Sequence, residues 1–162
     1  MSRLNKLRIV FYVLLIGWMT FIFCMSAQSS QESSELSGGI VSKLIAVFLN
    51  RFDSLSSEEQ ADITNLITVI VRKTAHFLEY FILGILSFFS AYFYQNHKYK
   101  TKVFYSLVIC VLYATSDEVH QYFVPGRACR FTDICIDTAG SVVAIALLAT
   151  ILFFKKDTRW AR

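Results

Sequence analysis

Tyr113 to Gly140 reads YATSDEVHQYFVPGRACRFTDICIDTAG, and the fold turns on how this stretch is read. Long apolar runs flank it on both sides. Its middle carries Asp117, Glu118, Arg127, Arg130, Asp133 and Asp137, with His120 and Gln121 among them. Pro125, the only proline of the chain, precedes Gly126, and Pro-Gly marks a tight turn. The stretch therefore reads as the end of one helix, a turn and the start of another. Ionisable groups at the edge of a bilayer are costly and so are candidates for function. A second cluster, Arg72, Lys73, His76 and Glu79, opens another apolar run, and the two clusters are expected to meet.

Composition supports a membrane setting. Of the 162 residues, 55% are hydrophobic, and the mean hydropathy is +0.49. Charged residues make up 17%, against roughly 25% in a soluble domain. This is a single domain over residues 1–162, with little room for a separate soluble part. The net charge of +4 does not point to nucleic acid, because the bases flank apolar runs and do not form one patch. Cys24, Cys110, Cys129 and Cys135 lack zinc spacing. Cys129 and Cys135 flank the turn, close enough in sequence to pair.

The fold expected is all-α: an integral membrane four-helix bundle with a short extracellular amphipathic helical segment. The spans fall at about 9–25, 74–94, 103–122 and 132–154. The first is basic at its start and lacks a good cleavage site, so it reads as an uncleaved span rather than a signal peptide. Residues 26–38 read as a polar, serine-rich linker. The outer segment covers about 39–72, with Ile40, Leu44, Val47 and Phe48 on one face and Ser56 or Ser57 capping a helix that runs on into the second span. Arg72, His76 and Glu79 share a helical face, as do Asp117, His120 and Gln121. Asp133, Asp137, Gly140 and Ala144 recur about every turn, an acidic start followed by a small-residue strip suited to close helix contact. A short basic loop is expected at 95–102 and a basic tail at 155–162. Ten Lys and Arg then fall on one side, and six on the other with eleven of the twelve acids. That asymmetry places both termini in the cytoplasm and both charged clusters outside.

Four functional readings remain open from the residues alone. One is an ion-pair network locking helix ends, such as Arg72 with Glu118 or Arg127 with Asp137. A second is recognition of an amphiphilic envelope ligand, arginines taking phosphate or carboxylate and acids and Gln121 taking hydroxyls or amines. A third is catalysis, with His76 paired to Glu79 and His120 paired to Asp117 or Glu118, or the same groups on a divalent metal. No strong metal motif, P-loop or nucleophile elbow is present. Intramembrane transport is the fourth, disfavoured because the charges gather at one face.

Three segments resemble the VanZ-like membrane proteins: RKTAHFLEYFILG at Arg72–Gly84, SDEVHQYFVPGR at Ser116–Arg127 with DICIDTAG at Asp133–Gly140, and WMTFIFCMSAQSS at Trp18–Ser30. The resemblance implies a small helical bundle in a bacterial cell membrane and carries a link to low-level teicoplanin resistance, a phenotype rather than a reaction. It also carries over Arg72, Lys73, His76, Glu79, Tyr80, Asp117, Glu118, His120, Gln121, Pro125, Arg127, Asp133, Asp137 and Gly140. Many relatives have Asn near Asp137, where this chain has an extra acid. The expectation is binding of an envelope lipid or lipid-linked cell-wall precursor at the outer face. Arg72, Glu79, Asp117, Gln121, Arg127, Asp133 and Asp137 are the ligand-binding candidates. The alternative is a membrane-embedded enzyme with His76, His120 and Glu118 as catalytic candidates. Cofactor, metal and oligomeric state are not fixed by the sequence.

Overall fold

The computed structural model describes residues 3–93 and 98–160. Within them the chain is helical throughout: α1 (Arg3–Ser26), α2 (Ser30–Phe48), a short 3-10 turn (Phe52–Ser54), α3 (Ser57–Tyr92), α4 (Tyr99–Tyr122) and α5 (Phe131–Trp160). This is an all-α membrane bundle with no strand among the described residues. Residues 94–97, which hold the last residue of the second expected span and part of the basic loop, lie outside the described residues. So do Arg162 and the side chains of Lys155, Lys156 and Arg159.

Boundaries differ from expectation: α4 begins at Tyr99, inside the expected basic loop, α5 runs on to Trp160, into the expected tail, and the first helix after α1 starts early. The serine-rich segment forms no linker up to residue 38; it is helical from Ser30 onward. The reason is local. Ser29 Oγ accepts from the Glu32 amide at 3.3 Å, and the Ser29 amide donates to Glu32 Oε2 at 2.8 Å. This reciprocal capping box satisfies two of the amides that every helix start leaves without partners. The same device, Ser56 with Glu59, opens α3. From there α3 continues unbroken for 36 residues, about 54 Å at 1.5 Å per residue. A hydrocarbon core is about 30 Å thick. The N-terminal part of α3 therefore projects past the bundle, and α2 packs alongside it.

α1, α3, α4 and α5 alternate in direction. Phe11 stacks near Phe89 and Phe93, while Trp18 Nε1 donates to the Glu79 carbonyl at 2.9 Å, so α1 and α3 run antiparallel. Ser87 and Ser106 exchange hydroxyl-to-carbonyl hydrogen bonds at 3.2 and 3.3 Å between α3 and α4. Tyr99 donates to the Ala149 carbonyl at 2.7 Å, tying α4 to α5. The small-residue strip does what its spacing predicts. A Cβ on Gly140 would collide with the Phe77 carbonyl, and one on Gly84 would sit 2.8 Å from the Ser141 carbonyl. Backbones thus touch between α3 and α5, and Ser141 Oγ donates to the Tyr80 carbonyl at 3.0 Å. Lipid tails are as apolar as leucine, so close packing and interhelical hydrogen bonds supply the cohesion that water would otherwise drive.

Among the described residues, three helices are long and apolar enough to cross a membrane: Leu4–Ser26, Ser57–Tyr92 and Phe131–Phe153. The span expected at 103–122 is not among them. α4 has the length, 24 residues, but Asp117, Glu118 and His120 occupy its last turns and Lys100 and Lys102 its first. Its middle still turns Phe104, Val111 and Leu112 outward, as α1 does Val13 and Ile16 and α5 does Leu147 and Ile151.

Candidate functional site

The polar site lies at one end of the bundle, where α1 and α4 finish, α5 begins and α3 passes through. Val124–Pro125–Gly126–Arg127 is a type II turn. The Arg127 amide donates to the Val124 carbonyl at 3.1 Å, and Gly126 takes φ +74°, a conformation that favours glycine. The Ser30 amide donates to the Pro125 carbonyl at 3.3 Å, docking the turn on the start of α2. That fixes the direction in which Arg127 leaves the backbone.

Arg127 is then held by neutral groups. Its Nε donates to the Gln28 carbonyl at 2.9 Å and one terminal nitrogen donates to Gln121 Oε1 at 3.1 Å. Gln121 in turn donates to Asp117 Oδ2 at 3.0 Å, and Ser26 Oγ donates to the same oxygen at 2.8 Å. A continuous chain of hydrogen bonds therefore runs from the end of α1 through α4 to the guanidinium. Burial, and then the neighbouring Arg72, pull the Arg127 pKa below its ordinary value. An arginine nonetheless stays charged in a protein.

The two sequence clusters do meet. Lys73 Nζ lies 3.1 Å from Asp133 Oδ1, and His76 Nδ1 lies 3.8 Å from Asp137 Oδ1 and 3.9 Å from Glu79 Oε2. Arg72 with Glu118 and Arg127 with Asp137 are not among the ion pairs of the described residues. Glu118 is fully buried and accepts from the Arg130 amide at 2.9 Å, pinning the segment that leads into α5. His120 stacks on Phe23 of α1 at 4.3 Å between ring centroids. Neither Glu118 nor His120 lines the cavities described next, so of the three catalytic candidates only His76 does. Cys129 and Cys135 are both free and exposed, without the bridge their spacing allows.

Two cavities adjoin here. One, of about 190 Å³, lies between the end of α1, α2 and α3, with Gln28, Ser33, Ser37 and Glu79 among its polar lining and Met25, Leu36, Ile40 and Val71 among its apolar lining. The other, of about 100 Å³, lies between α3 and the α4–α5 turn and includes Lys73, Gln121, Arg130 and Asp133. Arg72, His76 and Arg127 line both and form the wall between them. Neither arginine forms an ion pair among the described residues. Among those residues no group of three or more His, Cys, Asp or Glu is placed to hold a metal ion.

Ser26, Gln28, Ser33 and Ser37 belong to this site and were not singled out from the sequence. Ser26 reaches Asp117 across 91 positions, and the serine-rich stretch contains many equivalent hydroxyls. The one available signal was the capping box, which turns Ser33 and Ser37 into a single helical face.

A buried polar site at one end of a helical membrane bundle defines the class of protein. The particular family follows from comparison: the model for VanZ/LLP1 matches residues 11–154, nearly the whole chain. The chain belongs to this VanZ-like family. No curated protein and no solved structure among those compared matches it.

Proposed function

We propose that this VanZ-like protein binds the anionic headgroup of an envelope lipid, or of a lipid-linked wall precursor, at the outer face of a bacterial cell membrane. The observation that carries this reading is the shared wall of the two cavities. Arg72 and Arg127 stand there together without a carboxylate partner among the described residues. Two guanidinium groups brought side by side repel one another, and an anion between them relieves the repulsion while taking paired donors. A cavity of about 190 Å³ is smaller than the roughly 300 Å³ at which sites for whole drug-sized ligands begin. It suits a headgroup whose tail stays outside.

In this reading α4 crosses the membrane with the other three long helices, and both termini are cytoplasmic. The length of α4 and its alternating packing against α3 and α5 support four passes, and the distribution of Lys and Arg supports the orientation. The link to teicoplanin belongs here too, since that antibiotic carries an acyl chain and acts on wall precursors at the same face. The test is Arg127→Ala. It weakens headgroup binding and alters the teicoplanin susceptibility of cells that carry the protein; if it leaves both unchanged, the assignment is wrong.

One observation favours a second reading, an enzyme acting on the same headgroup. His76 Nδ1 is buried beside Asp137 and Glu79, while the ring lines both cavities. A histidine with one nitrogen toward a carboxylate and its ring toward a ligand is placed as a general base. This reading requires that His76→Ala abolish turnover of the bound ligand while leaving the ligand retained.

A further inference from the structure

Resting on the headgroup reading, we infer that the ligand enters sideways from the lipid, its hydrocarbon tail seated on a strip of α3 made by Val71, Ala75, Leu78 and Ile82. The argument begins with a difference between the two cavities that share the arginine wall. Beside Val69 and Ala128, the smaller one exposes Arg130 and, in part, the Lys73–Asp133 pair. Charged groups at a rim suit a mouth that meets water. The larger cavity is built the other way round. Of its lining residues only Leu36, Ile40 and Ala75 are exposed, and all three are apolar. Leu36 is 59% and Ile40 55% exposed, whereas Ser37, between them in sequence, is 8% exposed. Every polar lining residue, both arginines included, is buried or half-buried. Polar groups turned inward behind an apolar rim are the arrangement of a site that opens toward lipid.

The rim also leads somewhere. Val71 and Ala75 line the cavity, and Leu78 and Ile82 follow them on the same face of α3, about one turn apart. Leu78 is 52% exposed and Ile82 37%, and no polar residue interrupts the strip. Trp18 of α1 donates to the Glu79 carbonyl, which sets Leu78 and Ile82 alongside the apolar run of α1. That part of the strip therefore lies at the depth of the hydrocarbon. A tail laid along it delivers its headgroup to the mouth at Leu36 and Ala75, with Arg72 and Arg127 behind. The occupant is thus a lipid that keeps its tail in the bilayer. Leu36, Ile40, Ala75 and Leu78 select for the tail, and the arginines select for the anion.

The test is photolabelling of the full chain in phosphatidylcholine vesicles that contain phosphatidylglycerol with a diazirine midway along one acyl chain. Labelled residues are mapped by mass spectrometry. Leu78 and Ile82 are labelled about tenfold more than Val13, Ile16, Leu147 and Ile151, the ratio that one hydrogen bond to a charged group gives a held lipid over a passing one. Those four residues are at least as exposed, so exposure alone predicts no such excess. Unlabelled phosphatidylglycerol in excess removes the difference. So does Arg127→Ala, and so does Ala75→Trp, which sets a bulky ring across the mouth; Val13→Trp leaves it intact. Native mass spectrometry of the same proteins reads headgroup retention separately. Even labelling of all these positions, or an excess at Leu78 that survives Arg127→Ala, overturns the tail seat. The headgroup reading still stands in that case if the wild type retains phosphatidylglycerol and Arg127→Ala loses it. A wild-type protein that retains none overturns both.

Discussion

Arg72, His76, Arg127 and Asp137 illustrate what single residues reveal here. Each is expensive to place at a membrane boundary, so the sequence already marked them, and the structure brings them together. What it did not mark was the support: Ser26 and Gln28 hold Asp117 and Arg127 through contacts made only after folding. Asp133 shows the same limit. Its partner is Lys73, at 3.1 Å, and the pair is partly exposed. The charge swap that restores a contact is therefore Lys73→Asp with Asp133→Lys. Each single change costs up to about 1 kcal/mol, as such pairs do, and the double change recovers most of it. Thermal melting of the purified variants measures this. Gly140 makes a stronger demand. With the Phe77 carbonyl where a side chain would begin, Gly140→Ala forces α5 away from α3 and destabilises the bundle by about 1–3 kcal/mol. Gly17→Ala, which meets nothing within 4 Å, has no such effect in the same melt.

The helices were legible wherever the apolar period was long, as in α3, whose single run through both the outer segment and the span was readable from Ser56 onward. The start of α2 was missed because serine content outweighed the capping signature at Ser29 and Glu32. That capping box has a pH signature. Hydrogen bonds from the Ser29 side chain and backbone hold the Glu32 pKa below its usual 4.5. A carboxyl lowered by folding stabilises the fold above its unfolded pKa, and this contribution is lost as pH falls through the lowered value. The first turn of α2 therefore frays as pH falls through that lowered value, before the bundle does. Hydrogen exchange at the Glu32 and Ser33 amides reports it, and Ser29→Ala shows the same fast exchange already at neutral pH. α4 was the opposite case. Its length was readable, but its charged ends keep it out of the set of clearly apolar helices.

For the whole molecule, the distribution of charge along the chain and the packing of the helices point the same way. Alternating helices gather Ser26, Gln121, Arg127 and Asp133 at one end and leave Lys98, Lys100 and Lys102 at the other. With four passes and cytoplasmic termini, Cys129 and Cys135 face outward, free and exposed. A membrane-impermeant maleimide added to intact cells labels them, and Cys129→Ser with Cys135→Ser removes the label; labelling only after lysis reverses the orientation. The central claim, an outer site that holds an anionic lipid headgroup, is tested most directly by native mass spectrometry of the protein extracted with its own lipids. The account predicts a retained phosphate-bearing adduct that disappears in Arg127→Ala. A protein that emerges without any adduct, or one whose adduct survives that substitution, contradicts it.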